Sequence, residues 1–409
     1  MFQSGHTYDK YINGIIGGLI MSISSSLHFL LKGKITGISG TLFRTITLGD
    51  LSYNLCFLSG MLLIPSLIRG FTKKSFYGRM LEEPIKYTDS LSIIGFLISG
   101  FLVGFGTKMA NGCTSGHGVC GLPRLSKRSF AAVGTFLLFG IVFATLRYYV
   151  KFLETDFILS KKRKDSIILS EITTKIISII FFCLSIIIIL LIFYFDILKK
   201  KIYDFKEILI PFFVGVLFSL GLMESGMAQR HRVLLFLSIC KNWDPTLMCV
   251  LGAAVGLNLI TFNLMLKKME KPIFHKKFQL PDKTEIDRKL IVGAAIFGIG
   301  WGFGGICPGP GFLCFFIYLP QSITFMVMLS LGQFLEYKLD KKIVDILNGT
   351  KKENKENKEK KEKTKKEKNE KTDDSIDGQI KISRFNERSI MNDSEIKVIK
   401  IKNKYINQI

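Results

Sequence analysis

Two glycine-rich apolar segments, each closing on cysteine, stand 194 positions apart in this chain of 409 residues. They read Gly104-Phe-Gly-Thr-Lys-Met-Ala-Asn-Gly-Cys113 and Gly298-Ile-Gly-Trp-Gly-Phe-Gly-Gly-Ile-Cys307. The same shift pairs Cys120 with Cys314, and a shift of 193 pairs Cys56 with Cys249, so six of the eight cysteines fall into one internal repeat. A doubled apolar helix, broken by glycine beside a polar loop, points to a substrate path between two halves of a membrane transporter.

The composition agrees. Hydrophobic residues make up 48% of the chain and the mean hydropathy is +0.31, which is more apolar than a soluble protein of this length. The formal charge of +23 does not indicate nucleic acid, because the basic residues sit in loops between apolar runs and in one C-terminal tail. Residues 341–409 hold 20 basic and 13 acidic residues, or +7 of the total. The rest is loop charge that orients helices and meets anionic headgroups. Most of the eight cysteines lie within or at the ends of apolar runs, unlike a secreted disulfide framework. Met1–Lys10 is polar, and the first apolar run is long enough to span rather than be cleaved.

Apolar windows of ~20 residues predict about nine transmembrane helices. They are Tyr11–Leu31, Leu51–Ile68, Leu91–Met109, Ser129–Val150, Ile172–Phe195, Ile208–Met227, Thr246–Leu266, Leu290–Ile306 and Phe312–Leu335. The fold class is therefore all-α and polytopic. The repeat pairs spans one to four with spans six to nine and leaves the fifth unpaired. An odd number of crossings between matching halves turns the second upside down, giving two inverted repeats with glycine-rich re-entrant loops. The expected organisation is a first repeat over 1–160, a linker with the fifth helix over 161–207, a second repeat over 208–340 and a charged tail over 341–409. The distribution of loop lysines and arginines favours a cytoplasmic C-terminus, with the plasma membrane the expected location and an organelle membrane the alternative. The tail run Lys351–Lys371 is almost wholly Lys, Glu and Asn, cannot build a core, and is expected to be dispensable.

The first copy continues as Asn111-Gly-Cys-Thr-Ser-Gly-His-Gly-Val-Cys120. So much glycine and hydroxyl cannot stay helical against lipid, so its backbone amides should line a cavity, where they suit an anion. The plainer alternative is a tight turn of close-packed glycines. In the second copy Pro308 and Pro310 forbid helix continuation beside Cys307. A cysteine at a broken helix is placed to meet a soft, polarizable solute, so sulfur-containing anions fit better than hard oxyanions. The candidate substrate path is Cys113, Cys307, Asn111, Gly112, Thr114, Ser115, His117, Pro308 and Gly309, with Ser225 and Gly226 reaching in at the end of span six. Glu224, at the end of that span, needs a partner, for which Arg230 and Arg232 are candidates. Cys113, His117 and Cys120 lack the spacing and the fourth ligand of a zinc site, and no metal is expected. There is no P-loop, no G-x-S-x-G elbow and no dinucleotide fingerprint after a strand, so no cofactor is expected either.

Asn111-Gly-Cys-Thr-Ser-Gly-His-Gly-Val-Cys-Gly together with Cys307-Pro-Gly-Pro-Gly resembles the YeeE/YedE family of sulfur-transport membrane proteins. Gly37-Ile-Ser-Gly, Gly221–Met227, Asn242-Trp-Asp-Pro and Gly300-Trp-Gly-Phe-Gly-Gly-Ile-Cys match further family segments. The likeness covers about Tyr11–Leu335, as two half-size subunits fused into one chain. It implies a channel-like importer of thiosulfate or a related small sulfur compound, passed along by mid-membrane cysteines, of which Cys113 and Cys307 carry over. A further family cysteine just after the first span has no counterpart in Gly33-Lys-Ile-Thr-Gly-Ile. The lipid bilayer, the small anion and a soluble sulfur-carrier protein are the expected partners, with no role for nucleic acid. Transport rather than catalysis is expected. The runner-up is a membrane sulfur oxidoreductase or sulfurtransferase using Cys113 and Cys120 as a pair, and a metal channel is third.

Overall fold

The computed structural model describes residues 5–72, 91–150, 171–198, 206–281, 283–317 and 319–342. The expected tail beyond 342 lies outside the described residues, as does most of the loops at 69–90 and 151–171. What is described is helical, and the only pairing of strand type among the described residues is an isolated bridge between Lys34 and Gln279.

In chain order the helices are α1 (Gly5–Lys32), α2 (Ile38–Ile46), α3 (Leu51–Phe71), α4 (Ile93–Met109), α5 (Lys127–Val150) and α6 (Glu171–Leu198). They continue as α7 (Lys206–Glu224), α8 (Arg230–Leu237), α9 (Thr246–Lys268), α10 (Arg288–Gly304), α11 (Pro308–Leu313) and α12 (319–342). A π-helical turn (Thr114–Val119) follows α4, and a 3-10 turn (Cys314–Phe316) follows α11. Among the described residues, seven stretches are long and apolar enough to cross a membrane: those of α1, α3, α5, α6, α7, α9 and the run from α10 through the 3-10 turn. α4 is apolar but shorter, at 17 residues. The chain is an all-α, polytopic membrane protein.

One expectation needs correction. The expected ninth window, Phe312–Leu335, is not one helix, because Phe312 belongs to α11, started by Pro308, and α12 begins at 319. The polar stretches after the first and sixth apolar windows hold more structure than hydropathy shows. Each turns on a left-handed glycine, Gly33 (φ 67°) or Gly226 (φ 70°), and runs into a short helix, α2 or α8.

The halves are inverted, because equivalent helices meet in opposite directions. α4 and α10 cross antiparallel, with Gly106 against Gly293 and Phe297 and Gly300 against Ser99 and Val103. Under the 194-residue shift these two sets of contacts are the same set. α1 meets its counterpart α7 antiparallel too, with Gly17 on Gly221 and the Ser24 hydroxyl donating to the Val214 carbonyl. Of the remaining large contacts, α3 on the linker helix α6 is antiparallel, with Gly70 on Ile179 and Cys56 packed with Ile192, and the others come in parallel pairs. α1 lies along α9 (Gly18 on Val250, Phe29 on Phe262), and α3 lies along α7 (Gly60 on Phe212, Ser219 donating to Met61 O). α10 lies along α5 (Gly298 on Phe136), and α4 along α12 (Gly104 on Leu329). Apart from α3 on α6, each of these pairings joins one half to the other, and one apolar core runs through both.

Small residues make these approaches possible. A Cβ at Gly104, Gly106 or Gly215 would overlap the backbone of the facing helix. Helices in lipid gain nothing from burying apolar surface, so close backbone approach and interhelical hydrogen bonds hold them. Asn258 of α9 is the clearest bond centre, with its Oδ1 accepting from Ser22, Ser25 and Ser26 and its Nδ2 donating to Val119 O at 2.8 Å.

Candidate functional site

The two helix breaks lie at opposite ends of the antiparallel α4–α10 pair, Ala110 against Gly293 and Gly304 against Ser99, and the segments that follow them turn back until Thr114 reaches Cys307. α4 ends at Ala110, after which Asn111 takes φ 59°; α10 ends at Gly304, after which Gly305 takes φ 66°. Asparagine tolerates this left-handed conformation better than most residues with a side chain, so Asn111 does by side-chain chemistry what Gly305 does by having none. Two residues on, each cysteine is extended and sits at the N-cap of the next turn: Cys113 (φ −123°) before the π-turn, Cys307 (φ −106°) before α11. The repeat in sequence is thus a repeat in backbone geometry.

Around the cysteines the chain closes a small polar network. The Thr114 hydroxyl donates to Cys307 Sγ at 3.5 Å, across the boundary between the halves. Cys113 Sγ lies 3.2 Å from the Ser115 hydroxyl, which also accepts the Ile38 amide at 3.2 Å. Cys120 and Cys314 again behave alike, each donating its thiol at 3.5 Å to a carbonyl just ahead of a short helix, Thr36 O before α2 and Ala228 O before α8. Cys113 and Cys120 therefore address different partners.

Thr114, Ser115, Cys307 and Gly309 share the lining of a cavity of about 70 Å³. At ~30 Å³ of liquid volume per water, that is room for roughly two waters or one very small solute. Apolar side chains complete the wall, among them Met21, Phe218 and Trp301. The lining contains no charged side chain. Its polar character comes from one thiol, two hydroxyls and the backbone at the starts of the π-turn and α11, whose leading amides carry partial positive charge.

The other candidate residues have different neighbours. His117 is buried and spans two elements, with Nε2 3.2 Å from Ala110 O and Nδ1 3.2 Å from the Ser129 hydroxyl. Gly112 makes room for that imidazole, since a Cβ there would sit 2.7 Å from Nε2. Asn111 is exposed. Pro308 opens α11 at a position where no amide proton is needed. Ser225 donates to Leu222 O and packs on Gly17, and Gly226 lies against the Arg232 guanidinium. Neither lines the cavity. No ion pair joins Glu224 to Arg230 or Arg232 among the described residues; Arg230 serves another end.

Arg230 is the residue that sequence reasoning placed wrongly. It is 2% exposed, its Nε donates to Gly304 O at 2.8 Å, and its guanidinium lies 4.5 Å from the centre of the Phe96 ring. Gly304 is the 194-shift counterpart of Ala110, whose carbonyl His117 meets. Both broken helices thus end on a carbonyl that meets a buried basic side chain, but the two side chains come from non-equivalent positions. Nothing in the aligned halves signals this, because Arg230 aligns near Ile38 and His117 with Gly311.

A family model described as sulphur transport matches residues 6–143, and one described as a family of unknown function (DUF6691) matches 206–342. Together they cover the two halves and leave α6 between them. Two proteins of Xylella fastidiosa strain Temecula1, each named a probable transporter, are similar to this chain. One is 35% identical over 126 residues, which is 31% of this chain and 84% of the relative; the other is 36% identical over 136 residues, 33% of this chain and 94% of the relative. Both relatives are thus less than half as long as this chain. A counterpart from strain 9a5c, also named a probable transporter, is 35% identical over 86% of its length. No solved structure matches.

Proposed function

The chain belongs to the sulphur-transport family of membrane transporters, and from that premise we propose that it passes thiosulfate or a related small sulfur-containing anion between its two halves. The observation that carries the reading is the central cavity, where Cys307 and Thr114 meet across the halves and the lining offers soft sulfur, hydroxyls and helix starts but no fixed cation. A site without a fixed cation discriminates by polarizability more than by charge, which favours a solute with a terminal sulfur over sulfate. Cys113 supports the Ser115 side of the same cavity. His117, Asn111, Gly112 and Pro308 shape the turns that present these groups, while Ser225 and Gly226 shape the start of α8. The cavity is too small for a hydrated ion, so the solute sheds water and the flanking turns move as it passes.

In this reading the protein acts in the plasma membrane with its C-terminus in the cytoplasm, where a soluble sulfur-carrier protein receives the cargo. The test is uptake of labelled thiosulfate, sulfite and sulfate into liposomes containing only the purified protein. Thiosulfate recovered unchanged inside, in excess over sulfate, supports the proposal. Product formed without net transfer would assign the chain to sulfur-transfer chemistry instead.

A further inference from the structure

A second, larger cavity lies apart from the central one, between α2, α11 with its 3-10 turn, and α12. Its volume is about 430 Å³, and Leu42, Ile46, Phe312, Phe315, Val327 and Leu331 form much of its wall. The single hydroxyl in the wall, Ser330, is spent on the Met326 carbonyl at 2.8 Å, so the groove offers a solute no polar side-chain atom. Val327 and Leu331 are 52% and 51% exposed, so this side faces the bilayer. At ~30 Å³ per water-sized group, the volume holds roughly fourteen such groups, which is the bulk of one acyl chain.

One end of the groove carries two lysines against aromatic rings, with Glu336 and Asp340 in the same turns of α12. Phe334, part of the wall, has the Lys338 ammonium 5.3 Å from its ring centre. Phe43, next to the lining residue Leu42, meets Tyr337 edge-on, and the Lys108 ammonium stands 3.6 Å from the Phe43 ring. An aromatic and lysine layer of this kind marks headgroup depth in membrane proteins. An apolar slot open to lipid, closed at headgroup depth by two cations, is complementary to one molecule with an acyl chain and an anionic head.

We propose that this groove binds one anionic membrane phospholipid, with an acyl chain along α12 and the phosphate between Lys108 and Lys338. The proposal does not depend on which solute the protein carries. The test is native mass spectrometry of the full-length protein in detergent, titrated with phosphatidylglycerol or with phosphatidylcholine of identical chains. The expected result is one retained phosphatidylglycerol per protein, held in preference to phosphatidylcholine. Ser330→Trp, which fills the groove, should abolish retention. K108Q with K338Q should weaken phosphatidylglycerol binding by roughly fivefold per lysine and leave phosphatidylcholine unchanged. Should Ser330→Trp fail to fold, the glutamine pair carries the test alone. Equal retention of the two lipids by the unaltered protein, unchanged retention by the variants, or a second protein copy in place of lipid would each overturn the proposal.

Discussion

At the scale of single residues, the two cysteines at the helix breaks owe their position to backbone, and their chemistry to what their neighbours donate. Cys307 accepts from Thr114 across the halves, while Cys113 holds Ser115 within its own. Serine at either keeps the size and hardens the contact atom, so Cys113→Ser and Cys307→Ser should each cut thiosulfate uptake at least severalfold with membrane abundance unchanged. Cys183, exposed on α6, is the control, and equal loss from Cys183→Ser would show that the ranking has no basis. Arg230 is the second residue to test. Arg230→Met would leave the Gly304 carbonyl buried without its donor, which should cost about 1–3 kcal/mol of stability in detergent thermal unfolding. Unchanged unfolding would mean that water or another group already serves that carbonyl. The cysteines were legible in the sequence because the repeat lifts them out of the background of apolar residues. Arg230 was not, because its counterpart in role, His117, stands elsewhere in the aligned halves, and alignment compares positions rather than the carbonyls that side chains reach.

At the scale of elements, the long apolar helices could be read from hydropathy because lipid demands ~20 apolar residues from anything that spans it. α2 and α8 escaped the same reading. They have nine and eight residues, shorter than any hydropathy window, and α8 carries Arg230, His231 and Arg232 in its first turn. What makes them helices is tertiary: a left-handed glycine ahead of each turns the chain back into the protein. The helix seams make a prediction of their own. Gly106→Ala would drive a Cβ into the α10 backbone, so the folded protein should be depleted in membranes, as judged by monodisperse yield in detergent. Gly134→Ala in α5 and Gly252→Ala in α9 meet nothing within 4 Å and should be neutral or slightly stabilising, since alanine is the better helix former by roughly 0.8–1 kcal/mol. Equal behaviour of Gly106→Ala and Gly252→Ala would argue against the packing of α4 on α10.

At the scale of the whole molecule, the matched family region ends at residue 342, and the run Lys351–Lys371 beyond it holds no apolar residue to dock. A chain stopped after Lys342 should therefore insert and transport like the full-length protein in the liposome assay, and lost uptake at equal abundance would give the tail a function. The arrangement of the halves has a further consequence. Apart from α3 on the linker helix α6, every large helix contact crosses from one half to the other, so neither half packs much of its own surface against itself. Two separate half-length chains would have to find each other, at a yield set by their concentration, and identical ones would need every surface to be complementary to itself. Joined through α6, the halves meet at an effective concentration that dilution cannot lower. The join also fixes a stoichiometry of one to one, so each half is free to drift from its twin. Histidine on one broken helix and arginine on the other, unlike solutions to the same task, are what such freedom leaves behind.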